Sequence, residues 1–152
     1  MVIIHTSFTL LVGLFFTTAL AESEPYVPYS GIIHGTSGTE PVSITITNRS
    51  RSPIACQAAL AHWYSKDVGR LIAGESLKLK LWHDPETGVI NLMNATDTRM
   101  PVEALWCVIE TDQTALRARL DLPMQSGTTK SQFRFGCEVN ATRRLSCTTE
   151  RN

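Results

Sequence analysis

The sequence predicts an all-β fold, a small antiparallel β-sandwich of about seven or eight strands. Three observations carry this. Segments alternating apolar and polar residues recur along the chain, the period of a strand that buries one face. The connectors between them are rich in Pro, Gly, Asn and Asp and recur roughly every 8–15 residues. Four cysteines, an even number, lie beyond an apolar N-terminal stretch, which in an exported chain reads as two disulfides supporting a small core.

The first 21 residues, MVIIHTSFTLLVGLFFTTALA, contain no Asp, Glu, Lys or Arg. Their apolar centre, LLVGLFF, runs to Ala19-Leu20-Ala21, the small-x-small pattern of a signal-peptidase site, so residues 1–21 read as a signal peptide and Glu22 as the first mature residue. The n-region departs from the usual pattern in having only His5 and the terminal amine. An uncleaved anchor is the alternative, since Val2 to Ala21 is nearly long enough to cross a bilayer. The cleaved form, without stable membrane insertion, is the expectation. Residues 22–41, rich in Pro, Gly and Ser, read as an extended lead-in, and residues 42–152 as a single β domain.

Within that domain VSITITN alternates Val42, Ile44 and Ile46 against Ser43, Thr45 and Thr47, nearly all β-branched. RSRSP turns the chain. PIACQAALAHWYSKDVG is ambiguous. Ser52 as N-cap, Pro53 in the first turn, an Ala-rich middle and Gly69 as a stop suggest a short helix around 54–65. It also reads as a long strand, IACQAALAHWYS, and the surrounding β pattern favours the strand. GES leads into LKLKLW, and DPETG makes a hairpin connection into VINLMN. NATDTRMP separates that strand from VEALWCVIE. ALRARLDLP and QFRFGCEV supply two more alternating segments.

Strand parity places Leu77, Leu79 and Leu81 on the core side and Lys78, Lys80 and Trp82 opposite. Leu105, Cys107 and Ile109 share a face with Trp106 opposite. In a long strand through 54–65, Cys56, Leu60 and His62 share the core side and Trp63 lies opposite. Trp63, Trp82 and Trp106, with Lys78 and Lys80 as neighbours, are therefore the candidate binding residues, because tryptophan is enriched where proteins meet partners. The competing reading buries this face under the lead-in or flips it through a bulge. Of the three possible disulfide pairings, Cys137–Cys147, flanking a turn, and Cys56–Cys107, pinning one strand to a more distant one, are chosen.

Fourteen Lys+Arg balance fourteen Asp+Glu, so no net field draws nucleic acid, and no nucleic-acid role is expected. Metal binding has weak support: His62 and His83 each neighbour a tryptophan, and Met93, Met100 and Met124 offer thioethers that suit copper, but no H-x-H or H-x-x-x-H spacing occurs. No metal or other cofactor is expected. Hydrolysis would draw on Asp84 or Glu103, yet Asp84 sits in a turn where Asp is common for conformational reasons. Neither a G-x-S-x-G elbow nor a phosphate-cradling loop occurs. Three N-x-S/T sequons, at Asn48, Asn94 and Asn140, fall in expected turns where a glycan fits. The expectation is a secreted or periplasmic, non-catalytic β-domain that binds a protein partner or a glycan. A copper or zinc binding protein and a small secreted hydrolase are the alternatives.

Overall fold

The computed structural model describes residues 31–61, 63–111, 116–122, 124–127 and 130–150. The strands are β1 (Glu40–Asn48), β2 (Ile54–Leu60), β3 (Tyr64–Leu71), β4 (Ser76–His83), β5 (Ile90–Met93), β6 (Arg99–Ile109), β7 (Ala118–Leu120), β8 (Gln132–Val139) and β9 (Leu145–Thr149). The fold is all-β, with nine strands rather than the seven or eight expected and no helix among the described residues.

The hydrogen-bonded path runs β3-β2-β6-β5-β4-β1-β8-β9, with β7 on β6. Every pairing is antiparallel except β1 with β8. Strand β6 serves two ladders. Its first residues pair with β5, as Pro101 with Asn91, and its later ones with β2, as Cys107 with Cys56. Ile44, Ile46, Leu81 and Phe135 of one ladder and Ile54, Cys56, Leu105 and Leu120 of the other belong to a single buried cluster.

Residues 54–60 form strand, not helix. Ile54, Cys56, Ala58 and Leu60 are buried at every second position, and β3 and β6 flank the segment on both sides. Alanine's helix preference is worth a few tenths of a kcal/mol per residue, less than the burial and pairing a central strand gains. The long strand expected through His62 and Trp63 ends at Leu60 and turns back as β3, with Leu60 facing Tyr64. Trp63 closes this three-residue hairpin loop at φ 68°, the left-handed conformation that position demands.

Two other hairpins use one turn written twice. In Asn94-Ala95-Thr96-Asp97-Thr98, Asn94 Oδ1 accepts hydrogen bonds from Thr96 N, Thr96 Oγ1 and Thr98 N. In Asn140-Ala141-Thr142-Arg143-Arg144, Asn140 Oδ1 accepts from Thr142 N, Thr142 Oγ1 and Arg144 N. The fourth residue of each, Asp97 or Arg143, has positive φ. The side-chain carbonyl thus replaces a backbone acceptor and fixes the reversal.

The third sequon differs, and here the sequence expectation is corrected. Asn48 is not in an open turn but ends β1 with no exposed surface. Its Nδ2 donates to Ser52 O and Leu71 O at 2.9 and 3.0 Å, and its Oδ1 accepts from Ser50 N and Ser50 Oγ at 2.9 and 2.7 Å. A glycan on this nitrogen is incompatible with the fold.

Ahead of β1, the described part of the lead-in runs beside the β5–β6 turn. Arg99 N donates to Ile33 O, Arg99 Nε to Gly35 O and Arg99 Nη2 to Ser37 O. Ile32 on this stretch remains 76% exposed, and Tyr26 and Tyr29 of the lead-in lie outside the described residues.

Candidate functional site: the outer face of β4, β1 and β8

Strand β1 runs between β4 and β8, and its register decides which side chains meet on the outer side. Val42, Ile44 and Ile46 are buried, which turns Pro41, Ser43, Thr45 and Thr47 the other way. Pro41 lies opposite Trp82, Ser43 between Lys80 and Gln132, and Thr45 between Lys78 and Arg134. Strands are about 4.8 Å apart, so Lys78 and Arg134 stand on backbones about 10 Å apart with a threonine between, and Lys78 and Lys80 start about 7 Å apart along β4.

Lys80 Nζ lies 4.5 Å from the centroid of the half-buried Trp82 ring, a cation–π contact. Pro41, Ser43, Lys78, Lys80, Ser131 and Gln132 border a shallow depression of about 420 Å³. The ion pairs among the described residues, Arg49–Glu150 and Arg70–Glu110, use none of Lys78, Lys80 and Arg134. The face therefore carries three exposed cations with no carboxylate in contact among the described residues, one aromatic ring and a row of hydroxyls. Arg134 and the Ser43–Thr45 row escaped the sequence reading. Their parity was legible, but the parallel pairing of β1 with β8 that brings Arg134 beside Thr45 joins segments nearly ninety residues apart.

The other tryptophans have separate settings. Trp106 shares the outward parity expected of it but is only 8% exposed. It lies between Gln57 and Arg119 in the β2–β6–β7 ladder, with the Arg117 guanidinium 4.5 Å from its ring. Trp63 is fully exposed in its hairpin loop, and the parity argument for it ends with β2 at Leu60.

Of the weak metal candidates, His62 lies outside the described residues. His83 is fully buried, and its Nε2–H donates to Gln125 O at 2.9 Å, while Nδ1 has no hydrogen-bond partner. The ring ties residues 124–127 to the β4–β5 connection, as does Gly127 N on Pro85 O. Gly88 is required there, with φ 76°, because a Cβ would lie 2.7 Å from the Gln125 carbonyl carbon. Met93, Met100 and Met124 are half-buried. Of the carboxylates, Asp84 Oδ1 accepts from the backbone N–H of Glu86 and Thr87, an Asx turn. Glu103 is exposed and borders a second depression, of about 230 Å³, with Arg119, Asp121 and Met124.

The disulfides pair as expected, Cys56–Cys107 and Cys137–Cys147, a pairing that suits an oxidising environment. Cys56 and Cys107 are directly opposed on adjacent strands, although far apart in sequence. Sulfurs of Cys107, Cys137 and Cys147 lie within 4.8 Å of one another, so the two bridges are neighbours in the core.

No family model matches the chain, and no curated protein matches it. Among solved structures, the NMR structure of a protein from Eubacterium rectale is similar at 10% identity over 76% of this chain and 94% of that one, with a TM-score of 0.42. A structure described as "Trapped Toxin" is similar at 10% identity over 74% of this chain and 24% of that one, with a TM-score of 0.37. Neither likeness carries an argument about function.

Proposed function

We propose that this chain is an exported, non-catalytic binding domain, secreted or periplasmic, whose β4–β1–β8 face takes a glycan bearing carboxylate or sulfate groups. One observation carries the reading: the half-buried Trp82 ring, with Lys80 against it, shares the outer face with Lys78 and Arg134, and none of these cations has a carboxylate in contact among the described residues. A sugar ring stacks on an aromatic face. Its acid groups meet cations at intervals of about 7–10 Å along and across the strands. The Thr45 hydroxyl stands between Lys78 and Arg134, and the Ser43 hydroxyl between Lys80 and Gln132, to donate to, or accept from, sugar hydroxyls. Export is supported by the disulfides and by the apolar stretch that ends at Ala21.

The test is affinity electrophoresis of the oxidised protein through gels containing polygalacturonate, a sulfated polysaccharide or neutral dextran. The acidic polymers retard the wild type and dextran does not. Trp82→Ala and Lys80→Ala each weaken retardation at least tenfold while the melting temperature moves by under about 3 °C, since both lie on the outer side. Retardation unchanged in both variants, or none by either acidic polymer, overturns the reading.

A further inference from the structure

Two bridges with sulfurs within 4.8 Å of each other are placed for exchange. Cys56 and Cys107 are 1% and 0% exposed, and Cys137 is 0% exposed, whereas Cys147 is half-buried on β9 at the end of the sheet path. Cys147 is therefore the one cysteine with surface for a soluble thiol to approach, and the Cys56–Cys107 bridge has next to none. Of that buried bridge, Cys107 Sγ lies within 4.8 Å of both sulfurs of the second bridge. Cys107 is on β6 and Cys137 on β8, strands that do not pair with each other.

We propose that the cysteines form a thiol–disulfide exchange site, in which an external dithiol reductant entering at Cys147 is relayed to the buried Cys56–Cys107 bridge. A thiolate of the reductant attacks Cys147 Sγ, forming a mixed disulfide and expelling Cys137 as the thiolate. The Cys137 thiolate, within 4.8 Å of Cys107 Sγ, attacks that sulfur. The Cys107–Cys137 bond forms, the Cys56–Cys107 bond breaks, and Cys56 leaves as a thiolate that takes a proton. The second thiol of the reductant then attacks its own sulfur in the mixed disulfide and expels Cys147. In balance, one dithiol is oxidised to a disulfide, and the protein exchanges two disulfides for one and gains thiols at Cys56 and Cys147. The new bridge ties β6 to β8, so reduction by one equivalent replaces two links between hydrogen-bonded neighbours with one link between strands of different ladders.

The experiment uses the folded, oxidised chain with limiting dithiothreitol, an acid quench, alkylation with N-ethylmaleimide and peptide mapping by mass spectrometry. The expected one-disulfide species carries Cys107–Cys137, with the alkyl group on Cys56 and Cys147. A one-disulfide species that keeps Cys56–Cys107 and is alkylated on Cys137 and Cys147 overturns the relay. So does alkylation of all four cysteines with no one-disulfide species. In the Cys137→Ser/Cys147→Ser variant, the Cys56–Cys107 bridge should resist dithiothreitol about tenfold longer than in the wild type, because no internal thiolate reaches it. An equal rate in a folded variant counts against the proposal, and the wild-type mapping decides the matter even where the variant does not fold.

Discussion

At the scale of single residues, the chain's most demanding side chain is one that sequence reading treats as surface. Asn48 belongs to an N-R-S sequon in a polar stretch, and nothing local distinguishes it from Asn94 or Asn140. Its place follows from the return of β3, whose last residue, Leu71, presents the carbonyl that Asn48 Nδ2 bonds. With four bonds made by one buried amide, Asn48→Ala leaves Leu71 O, Ser52 O and the Ser50 donors without this partner. The expected loss is about 2–4 kcal/mol in urea unfolding, since a buried polar group deprived of its partner costs about 1–3 kcal/mol. Asn48→Asp, which keeps the acceptor and loses the donors, should lose comparable stability. Trp63 is the opposite case. It is fully exposed, buries nothing, and holds φ 68°. A bulky residue in the left-handed region costs roughly 1–2 kcal/mol, so Trp63→Gly should raise stability by about 0.5–1 kcal/mol after the entropy that glycine loses on folding. A fall in the denaturation midpoint would mean that the indole makes a contact the fold depends on.

At the scale of elements, legibility tracks how local the cause is. The alternation in VSITITN, LKLKLW and QFRFGCEV was readable because a strand with one buried face writes its period into the sequence. The two N-A-T turns were readable as turns, and their chemistry lies within five residues. The break between β2 and β3 was not: HWYS carries no Gly, Pro, Asn or Asp, and the reversal there is imposed by pairing on both sides of β2. Likewise β7 shrinks to Ala118–Leu120, paired with Leu105, Trp106 and Cys107 of β6, although the alternation runs from Leu116 to Leu122. The N-A-T turns give an internally controlled test. Asn94→Ala and Asn140→Ala each remove an acceptor of three hydrogen bonds in the same geometry. The β8–β9 hairpin is also closed by Cys137–Cys147, whereas the β5–β6 hairpin has no covalent closure. Asn94→Ala should therefore cost about 1–2 kcal/mol. Asn140→Ala should leave the amides of β8 and β9 better protected from hydrogen exchange than Asn94→Ala leaves those of β5 and β6. Equal loss of protection would assign the hairpin's order to the turn alone.

At the scale of the whole molecule, one question is how ladders this small hold together. The core is a single cluster, yet it is drawn mostly from Val, Ile, Leu and Ala, with Phe135 its one fully buried aromatic among the described residues. The bridges supply what that interior lacks. They span 51 and 10 residues, and the chain-entropy model assigns them about 4 and 3 kcal/mol, against a total stability of about 5–15 kcal/mol for an ordinary domain. Their placement adds to this. Each joins directly opposed residues, and three of the four sulfurs pack together, so the staples hold β2 to β6 and β8 to β9 at the point where the two ladders meet. The even cysteine count disclosed the bridges, but their contact could not be read from spacing, because it depends on β6 and β8 meeting through the core. Complete reduction and alkylation should therefore do more than remove two independent loops. It leaves four bulky sulfur adducts where the interior is tightest, and overpacking costs about 1–3 kcal/mol more. The fully reduced but unalkylated chain should melt roughly 20 °C or more below the oxidised one, and the alkylated chain should show no cooperative transition at 25 °C. Calorimetry of the three forms checks this, and a reduced form melting within a few degrees of the oxidised one would show that the apolar core suffices alone.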